Sequence, residues 1–435
     1  MKTIIKNATT LPQLLNLSQE GLINVNLVIN NNKIEKVSQA DIFGSFDLEI
    51  DGNGLFLSPG LIDPQVHFRE PGMEYKEDIE SGSKAAVKGG FTSVISMPNT
   101  APTADNPDTV KFMKDKSDNI GICKVYPTGA VSYGLEGSKL TDFEALKQAG
   151  AVAVTDDGKG IQSDELFAQA MQAAKQAGLV LLDHSEDESL SQGGAIHQGN
   201  VAQSHGVKGI RPESESEHVK RGCRLSAETG AHYHVLHVST AASIDHVRHA
   251  KKDGLNVTVE VSPHHLLLCD EDIKIKPDGN LDANWKMNPP LRSKADMLAC
   301  REALIDGTID AIATDHAPHS PEEKALPIEQ APFGIIGLET AFPLMYTHFV
   351  KTGHLSLERL IDLMSKQAGA LFNIEAGRLL EGRIADLVLF DLNTSFTLTE
   401  SYFASKSSNS PFIGETLFGA THTTFVDGRI VYQSK

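Results

Sequence analysis

Five positions in the sequence could bind a metal ion, because each carries a histidine or an aspartate just after a short apolar run. These positions are His67, Asp156 or Asp157, His184, His237 and Asp315. Imidazole and carboxylate groups are ligands that zinc and similar divalent ions prefer in proteins. A catalytic site also keeps one position open for a water molecule, which the metal makes acidic enough to attack a substrate. The pattern therefore predicts a metal-dependent hydrolase, although periodicity does not distinguish Asp156 from Asp157.

The first apolar run ends with an arginine close to its histidine. Since successive side chains of a strand point to opposite faces, Gln65, His67 and Arg69 share one face. A planar guanidinium beside metal ligands suits two-point binding of a carboxylate. The alternative is that Arg69 forms a structural ion pair with Glu70 or another acid at the rim.

Other histidines in the sequence do not fit the metal pattern. His232 and His234 lie on the opposite face of their strand from His237, so we interpret them as packing or surface residues. His264 and His265 follow a further apolar run but lack a matching partner. We therefore expect structural roles for all four.

Eight apolar runs, each followed by small or polar residues, position the candidate ligands. They are LFLSPGLIDPQVHFRE, FTSVISMPNT, ICKVYPTGAV, AVAVTDDG, LVLLDHSED, HYHVLHVST, NVTVEVSPHH and DAIATDHAPHS. Several intervening segments have apolar residues spaced for one helical face and end in glycine. Strands that alternate with helices predict a parallel sheet, and eight such units predict an α/β fold of the (β/α)8 TIM-barrel type with its chemistry at the C-terminal rim. An open, doubly wound sheet is the alternative.

The two ends of the chain differ from the middle, because they contain short strands with few helical segments. The range 1–56 includes NVNLVINNNKIEKVS, and the range 378–435 includes ADLVLFDLN and TTFVDGRIVYQ. Either range alone is too small for a good hydrophobic core. We therefore predict a composite β-sandwich built from both termini, beside a barrel that spans residues 57–377.

Composition and charge limit the partners and the compartment. A formal net charge of -18 argues against nucleic acid, because phosphate binding needs clustered Lys and Arg. Four widely spaced cysteines without a CxxC pair indicate reduced thiols in a cytoplasmic protein. No N-terminal signal segment is recognisable, and no apolar run approaches the roughly 20 residues that cross a bilayer. We expect a soluble enzyme that acts on a small molecule.

Eight segments of the chain together resemble the signatures of class I dihydroorotases, within the amidohydrolase superfamily. They are SPGLIDPQVHFREPG, GGFTSVISMPNT, TDDG, LDHSED, LHVST, KMNPPLR, ATDHAPH and APFGIIGLET, and the tail segment GRIADLVLFD fits as well. The resemblance implies an amidohydrolase barrel that holds one or two zinc ions. It also implies reversible hydrolysis of the cyclic amide of (S)-dihydroorotate to N-carbamoyl-L-aspartate, a step of pyrimidine biosynthesis.

The resemblance further implies a role for each site residue. His67 and Asp315 would bind one metal ion, His184 and His237 would bind the other, and Asp157 would bridge the two. Asp315 would also act as the general base, taking a proton from water and passing it to the leaving amide nitrogen. The implied substrate contacts are Arg69, Asn99 and His319 for the carboxylate, and Asn288, Phe333 and Gly334 for the ring. Independently of the resemblance, the range 317–334 is rich in Pro, Glu and His, which indicates a mobile lid or, equally, an ordinary solvated loop.

The sequence departs from the family pattern in its metal ligands. Many relatives bridge their metals with a carboxylated lysine, for which Lys159 is a less favoured equivalent here than Asp157. The family usually carries His-x-His at the end of strand one, where this chain has Gln65 in the first position. A carboxamide oxygen is a weaker zinc ligand than imidazole. We expect Gln65 to bind weakly or not at all, which would leave one ion on Asp157, His184 and His237.

Two other functions fit parts of the sequence. One is a catalytically impaired dihydroorotase-like subunit that scaffolds aspartate transcarbamoylase, and the other is a related cyclic amidase such as an allantoinase or a dihydropyrimidinase. Retention of His184, His237 and Asp315 argues against a pure scaffold. Arg69 argues against a dihydropyrimidinase, whose substrates lack the carboxylate. We expect a homo-oligomer, with aspartate transcarbamoylase as a candidate partner.

Overall fold

The strands of the protein form a ring of parallel strands and a second sheet made by both ends of the chain. The structure is a computed structural model that describes residues 1–434. The strands are β1 (Lys2–Thr10), β2 (Ile23–Asn30), β3 (Lys33–Ser38), β4 (Leu48–Asp51), β5 (Phe56–Pro59), β6 (Leu61–Val66), β7 (Phe91–Ser96), β8 (Lys124–Pro127), β9 (Ala153–Val154), β10 (Val180–Asp183), β11 (Ile196–His197), β12 (Gly209–Ile210), β13 (Tyr233–Val235), β14 (Val257–Val261), β15 (Ala311–Ile312), β16 (Leu387–Thr397), β17 (Thr416–Val426) and β18 (Arg429–Gln433).

Helices connect most barrel strands. They are α1 (Ile79–Lys88), α2 (Pro107–Ile120), α3 (Phe143–Gln148), α4 (Asp164–Ala177), α5 (Glu188–Ser191), α6 (Asn200–His205), α7 (Glu213–Thr229), α8 (Ala241–Lys252), α9 (Pro263–Leu267), α10 (Lys294–Asp306), α11 (Pro321–Lys324), α12 (Ala341–Met345), α13 (Leu357–Ile361) and α14 (Gln367–Leu371). The helix α4 begins at the side-chain cap Ser163 and ends at Gly178, whose positive φ suits a helix C-terminus. Within residues 1–434, no helix is both long enough and apolar enough to cross a membrane.

Eight of the strands close into a barrel. Parallel pairing joins β6, β7 and β8 into one sheet, and β9, β10, β13, β14 and β15 into another. Parallel bridges between Gly129 and Val154, and between Val66 and His316, link the two sheets at both edges. Each predicted apolar run contains one barrel strand, and the predicted (β/α)8 barrel is confirmed. An open sheet, the alternative, would leave those edges unpaired.

Hydrogen bonds between the first and last barrel strands bring two candidate ligands together. Buried Asp63 accepts hydrogen bonds from Thr314 through its backbone N–H (3.0 Å) and its hydroxyl (2.5 Å). Further toward the C-terminal ends of these strands, the backbone N–H of His67 donates to the backbone carbonyl of His316 at 2.9 Å. These contacts fix the relative position of the two strand ends that carry His67 and Asp315.

Strands from both ends of the chain build the second sheet. Its order is β18-β17-β16-β5-β1-β2-β3, with β4 paired to β1. The two ends meet where β5 pairs antiparallel with β16, Pro59 opposite Leu387 and Phe56 opposite Phe390. Both termini therefore contribute to one β module beside the barrel, as the sequence indicates. Because β5 extends past residue 56 and belongs to this sheet, the exact boundaries 56/57 and 377/378 stay predictions.

Candidate active site

Three candidate ligands converge at the C-terminal ends of β9, β10 and β13. The ligand atoms of Asp157, His184 and His237 all lie within 4.8 Å of one another, and all three residues are buried. The Nδ1 atom of His184 lies 3.0 Å from Nε2 of His237 and 3.5 Å from Oδ1 of Asp157. Two imidazole nitrogens and a carboxylate oxygen facing one point can hold a divalent ion. We call this group the histidine-pair site.

A neighbouring carboxylate orients one histidine of this site. Nε2 of His184 lies 3.1 Å from Oε2 of Glu186, which also accepts a hydrogen bond from the Asn288 amide at 2.8 Å. When Nε2–H donates to Glu186, the lone pair of Nδ1 points into the histidine-pair site, as in many metal-bound histidines. Sequence analysis missed Glu186. The signal for it was the LDHSED segment, which places this acid two residues after His184.

A second group of ligands adjoins the first. Nε2 of His67 lies 3.0 Å from Oδ1 of Asp315 and 3.2 Å from Oδ2 of Asp157. Nδ1 of His67 lies 2.9 Å from Oδ1 of Asn99. When Nδ1–H donates to Asn99, the Nε2 lone pair faces two carboxylate oxygens, an arrangement that a cation between them would stabilise. We call His67, Asp157 and Asp315 the His67 site.

Asp157 reaches both groups, and its neighbour does not. Its Oδ1 faces the histidine-pair site and its Oδ2 faces His67. The carboxylate of Asp156 instead accepts hydrogen bonds from the backbone N–H (2.9 Å) and the hydroxyl (2.5 Å) of Ser132. Lys159 is exposed and lies outside the cluster. Of the two aspartates that periodicity left open, Asp157 is therefore the one that contacts both groups, and its bridging role stays a prediction.

Gln65 lies beside the His67 site but presents its amide donor to it. Its Nε2 donates to Oδ2 of Asp157 at 3.2 Å. Its buried Oε1 has no hydrogen-bond partner among residues 1–434. In this orientation the side chain binds the shared carboxylate through its amide N–H, and weak or absent metal binding by Gln65 stays a prediction.

The charges of the cluster favour a bound cation. Burial opposes ionisation of His184, but its hydrogen bonds with Asp157 and Glu186 outweigh burial and raise its pKa to about 10. Burial likewise opposes ionisation of Asp157, but hydrogen bonds with His184 and His237 hold its pKa well below the usual range. Carboxylates that strongly attract protons onto neighbouring imidazoles also attract a metal ion, which can replace those protons.

Unusual backbone conformations aim three of the site residues. Arg69, His237 and Asp315 have positive φ values of 58°, 31° and 49°. Such conformations are rare for residues other than glycine and cost free energy, so they persist where surrounding contacts impose them. Each follows a barrel strand, so the turn in the backbone directs the side chain across the barrel mouth.

The arginine at the rim lacks an acidic partner. Among the residues that the structure describes, no carboxylate oxygen lies within 4.0 Å of the Arg69 guanidinium. Its Nε donates to the Pro318 carbonyl at 3.3 Å, and one Nη lies 3.3 Å from Nε2 of His319. Glu70 pairs with Lys116 instead. Burial lowers the pKa of Arg69 to about 10, so the side chain remains cationic at neutral pH.

One cavity of about 280 Å³ connects the metal ligands with Arg69. It is lined by every predicted metal-ligating and substrate-binding residue except Gln65 and Gly334. The N–H of Gly334 donates to the Lys286 carbonyl at 2.9 Å, and its carbonyl accepts from Asn409 at 3.0 Å. Both backbone groups of Gly334 thus have a partner within the protein, although its carbonyl oxygen can accept a second hydrogen bond, and the ring contact that the resemblance implies stays a prediction.

The remaining histidines of the barrel take part in internal contacts. His234 lies 3.0 Å from Glu260 and 2.8 Å from Thr258, inside the barrel. His232 also contacts Thr258, and His265 contacts the Pro289 carbonyl at 2.9 Å. The His264 ring packs against the His265 ring, with centroids 4.3 Å apart. None of these four residues lines the cavity described above, and the structural roles expected of them stay predictions.

Comparison with known proteins decides the family. The family profile described as "Dihydro-orotase-like" matches residues 54–243. A dihydroorotase from Brevibacillus brevis is 54% identical over 386 residues, which cover 88% of this chain and 90% of that protein. A dihydroorotase from Halalkalibacterium halodurans is 45% identical over 435 residues, which cover 100% of this chain and 99% of that one. The chain belongs to the dihydroorotase family.

Solved structures with a similar fold come from other cyclic amidases. An L-hydantoinase (dihydropyrimidinase) from Arthrobacter aurescens superposes with a TM-score of 0.85 at 27% identity, covering 99% of this chain and 96% of that one. A dihydropyrimidinase from Brevibacillus agri, at 23% identity and a TM-score of 0.83, shows the shared fold. As a member of the dihydroorotase family, the chain is a cyclic amide hydrolase with an amidohydrolase barrel and a β-sandwich.

Proposed function

We propose that the chain catalyses the reversible hydrolysis of (S)-dihydroorotate to N-carbamoyl-L-aspartate, with zinc as its metal. The observation that carries this proposal is that one cavity is lined both by a candidate metal cluster and by Arg69, which is buried and has no acidic partner among the described residues. Dihydroorotate has the matching functional groups, a cyclic amide and a carboxylate on one ring. The dihydroorotase relatives act on it according to their names.

The ligand set fits zinc. In this proposal His184 and His237 hold one ion with Asp157, and His67 and Asp315 hold another with Asp157. Nitrogen and carboxylate ligands of this kind are those of catalytic zinc sites. When bound, the metal supplies Lewis acidity, which polarises the amide carbonyl and lowers the pKa of the attacking water.

Asp315 is the proposed general base. Its Oδ1 lies 3.0 Å from Nε2 of His67, and the residue lines the cavity. From this position the carboxylate can accept a proton from the attacking water and later deliver it to the departing amide nitrogen. The same group performs both transfers, so hydrolysis and ring closure follow one path in opposite directions.

In this proposal a second group of residues that line the cavity binds and orients the substrate. The Arg69 guanidinium, with Asn99 and His319, receives the substrate carboxylate. Burial and the nearby Arg69, Lys324 and Lys76 lower the pKa of His319, so its imidazole is neutral. Asn288 and Phe333 line the wall beside the ring.

Metal analysis combined with a dihydroorotate assay tests the proposal. Purified protein should contain zinc and should convert dihydroorotate in one direction and N-carbamoyl-L-aspartate in the other. Metal-loaded protein that turns over neither compound would overturn the proposal. Turnover of dihydrouracil or allantoin in place of dihydroorotate would identify a related cyclic amidase, and no turnover of any of them would favour the scaffold.

We also propose a cytoplasmic homo-oligomer, with aspartate transcarbamoylase as a candidate partner. The four cysteines are buried and free in the structure, which suits a reducing compartment. Light scattering of the purified chain, alone and mixed with the transcarbamoylase, measures both associations. A monomer that stays separate from the transcarbamoylase would contradict them.

A further inference from the structure

A segment of the terminal β module reaches the rim of the barrel. Residues 404–410 connect β16 to β17, and we call them the bracing segment. The Ala404 N–H donates to Glu339 at 2.6 Å, and the Ser407 hydroxyl donates to the Lys76 carbonyl at 2.9 Å. The segment is therefore attached to loops that follow the first and the last barrel strands.

Asn409 makes the most direct contacts between this segment and the candidate site. Its side-chain Oδ1 accepts a hydrogen bond from the backbone N–H of His319 at 3.2 Å. Its Nδ2 donates to the carbonyls of Ala317 and Gly334, each at 3.0 Å. The side chain is buried, with the residue only 3% exposed. One amide thus holds both ends of the range 317–334, for which the sequence predicts a lid or a solvated loop.

The backbone that Asn409 holds also carries the contacts of Arg69. Pro318, whose carbonyl accepts from Arg69 Nε at 3.3 Å, lies between the two residues that Asn409 binds, Ala317 and His319. On the opposite strand of the loop, the Phe333 carbonyl lies 2.8 Å from Nε2 of His319. A shift of this backbone would move both the imidazole and the guanidinium relative to the cavity.

We propose that Asn409 is a specificity-determining positioning residue, which fixes His319 and Arg69 for the substrate carboxylate. This inference rests on the proposed function. Asn409 is absent from the cavity lining, so it acts through the residues that it holds. Asp157, His184 and His237 follow other strands, and the strand end that carries Asp315 is held to the first barrel strand by the Thr314–Asp63 and His67–His316 hydrogen bonds, so the metal ligands should be little affected. The terminal β module would then contribute to substrate recognition as well as to folding.

The Asn409→Ala variant tests this role through separate measurements of KM and kcat. Loss of hydrogen bonds to three backbone groups should raise KM for dihydroorotate about 10-fold, because misplaced binding groups lose affinity. We expect kcat within about twofold of the wild type and an unchanged metal content, since the Thr314–Asp63 and His67–His316 hydrogen bonds hold the metal ligands and Asp315 without Asn409. Asn393→Ala, at an exposed position of β16, is the matched control and should leave KM unchanged.

The outcomes separate this inference from the proposed function. If the wild type does not turn over dihydroorotate, the proposed function fails. If the wild type is active and Asn409→Ala keeps its KM, or loses kcat and metal together, the positioning role is overturned. If Asn409→Ala does not fold, Ser407→Ala decides, because it removes another contact of the bracing segment. A KM increase of about threefold is expected there, and an unchanged KM would overturn the inference.

Discussion

The histidine-pair site and the His67 site share Asp157, which offers Oδ1 to one and Oδ2 to the other. In the histidine-pair site, two imidazoles face the same carboxylate, and Glu186 orients one of them from behind. In the His67 site there is a single imidazole, and the neighbouring Gln65 donates an N–H to Asp157. The first site thus has two imidazoles beside the shared carboxylate, whereas the second has one imidazole and Asp315, and its oxygen of Asp157 also accepts a hydrogen bond from Gln65.

The contrast between the two sites thus lies in the side chains around Asp157, while the scaffold that carries both groups is intact. The hydrogen bond between Asp63 and Thr314 joins the first and last barrel strands, and Asp315 has the positive φ described above. The departure is confined to one side chain beside the shared carboxylate. We therefore expect effects of decreasing size from variants at four positions, which are Asp157, Asp315, Glu186 and Gln65.

Asp157 is the ligand that both sites share, so its removal should impair metal binding at both of them. Asp157→Ala should lose metal from both sites and lower kcat by about 1,000-fold or more, because the metal contributes several kcal/mol of transition-state stabilisation. Metal content and kcat measure the effect. Asp156→Asn is the matched control, because the Asp156 carboxylate binds Ser132; it should keep its metal. Full metal content in Asp157→Ala would show that the carboxylate is dispensable to both sites.

Loss of the proposed base should affect chemistry more than metal binding. Asp315→Asn should lower kcat by roughly 1,000-fold, within the range for a general base, while the histidine-pair site keeps its ion. Steady-state kinetics and metal analysis of the purified variant measure the two effects. Near-normal turnover, or loss of all metal, would contradict the assignment of the proton transfers to Asp315.

The Glu186 carboxylate, which contacts His184, should affect metal affinity only at the histidine-pair site. Glu186→Gln keeps a hydrogen-bond acceptor but loses the charge, so metal affinity at this site should fall about 10- to 100-fold. Competition with a chelator measures the affinity. Glu188→Gln, two residues further along and exposed, is the control. Equal affinities for the two variants would show that Glu186 does not orient His184.

The sequence predicted the strand ends well because each barrel strand is a short apolar run that stops at polar residues. It could therefore place His67, His184, His237 and Asp315 at one rim. It could not assign Asp157, because two adjacent aspartates follow β9 and only the contact with Ser132 distinguishes Asp156.

Contacts over long sequence separations were beyond the same reasoning. Asn409 binds His319 from 90 positions away, and nothing in the SKSSNSPF segment indicates that partner. Gly334 matched a family motif, but its N–H and carbonyl are used by Lys286 and Asn409. Such roles depend on tertiary packing, which local periodicity does not encode.

The smallest expected effect concerns Gln65 and makes the comparison sharpest. Gln65→His would supply the imidazole that the family pattern carries and remove the N–H donor from Asp157. We expect the metal content to rise from about one ion per chain toward about two, because imidazole is a stronger ligand than a carboxamide. Metal analysis after dialysis against a fixed free zinc concentration measures the change.

A second substitution at this position separates the two causes. Gln65→Leu removes the amide that binds Asp157 Oδ2 but supplies no ligand, so any gain in metal must come from freeing that oxygen. If Gln65→His gains an ion and Gln65→Leu does not, the missing ligand limits the His67 site. If both gain equally, competition for Asp157 is the limit. An unchanged metal content in both would show that Gln65 has no influence on occupancy, and the contrast between the two sites would then have to arise from Glu186.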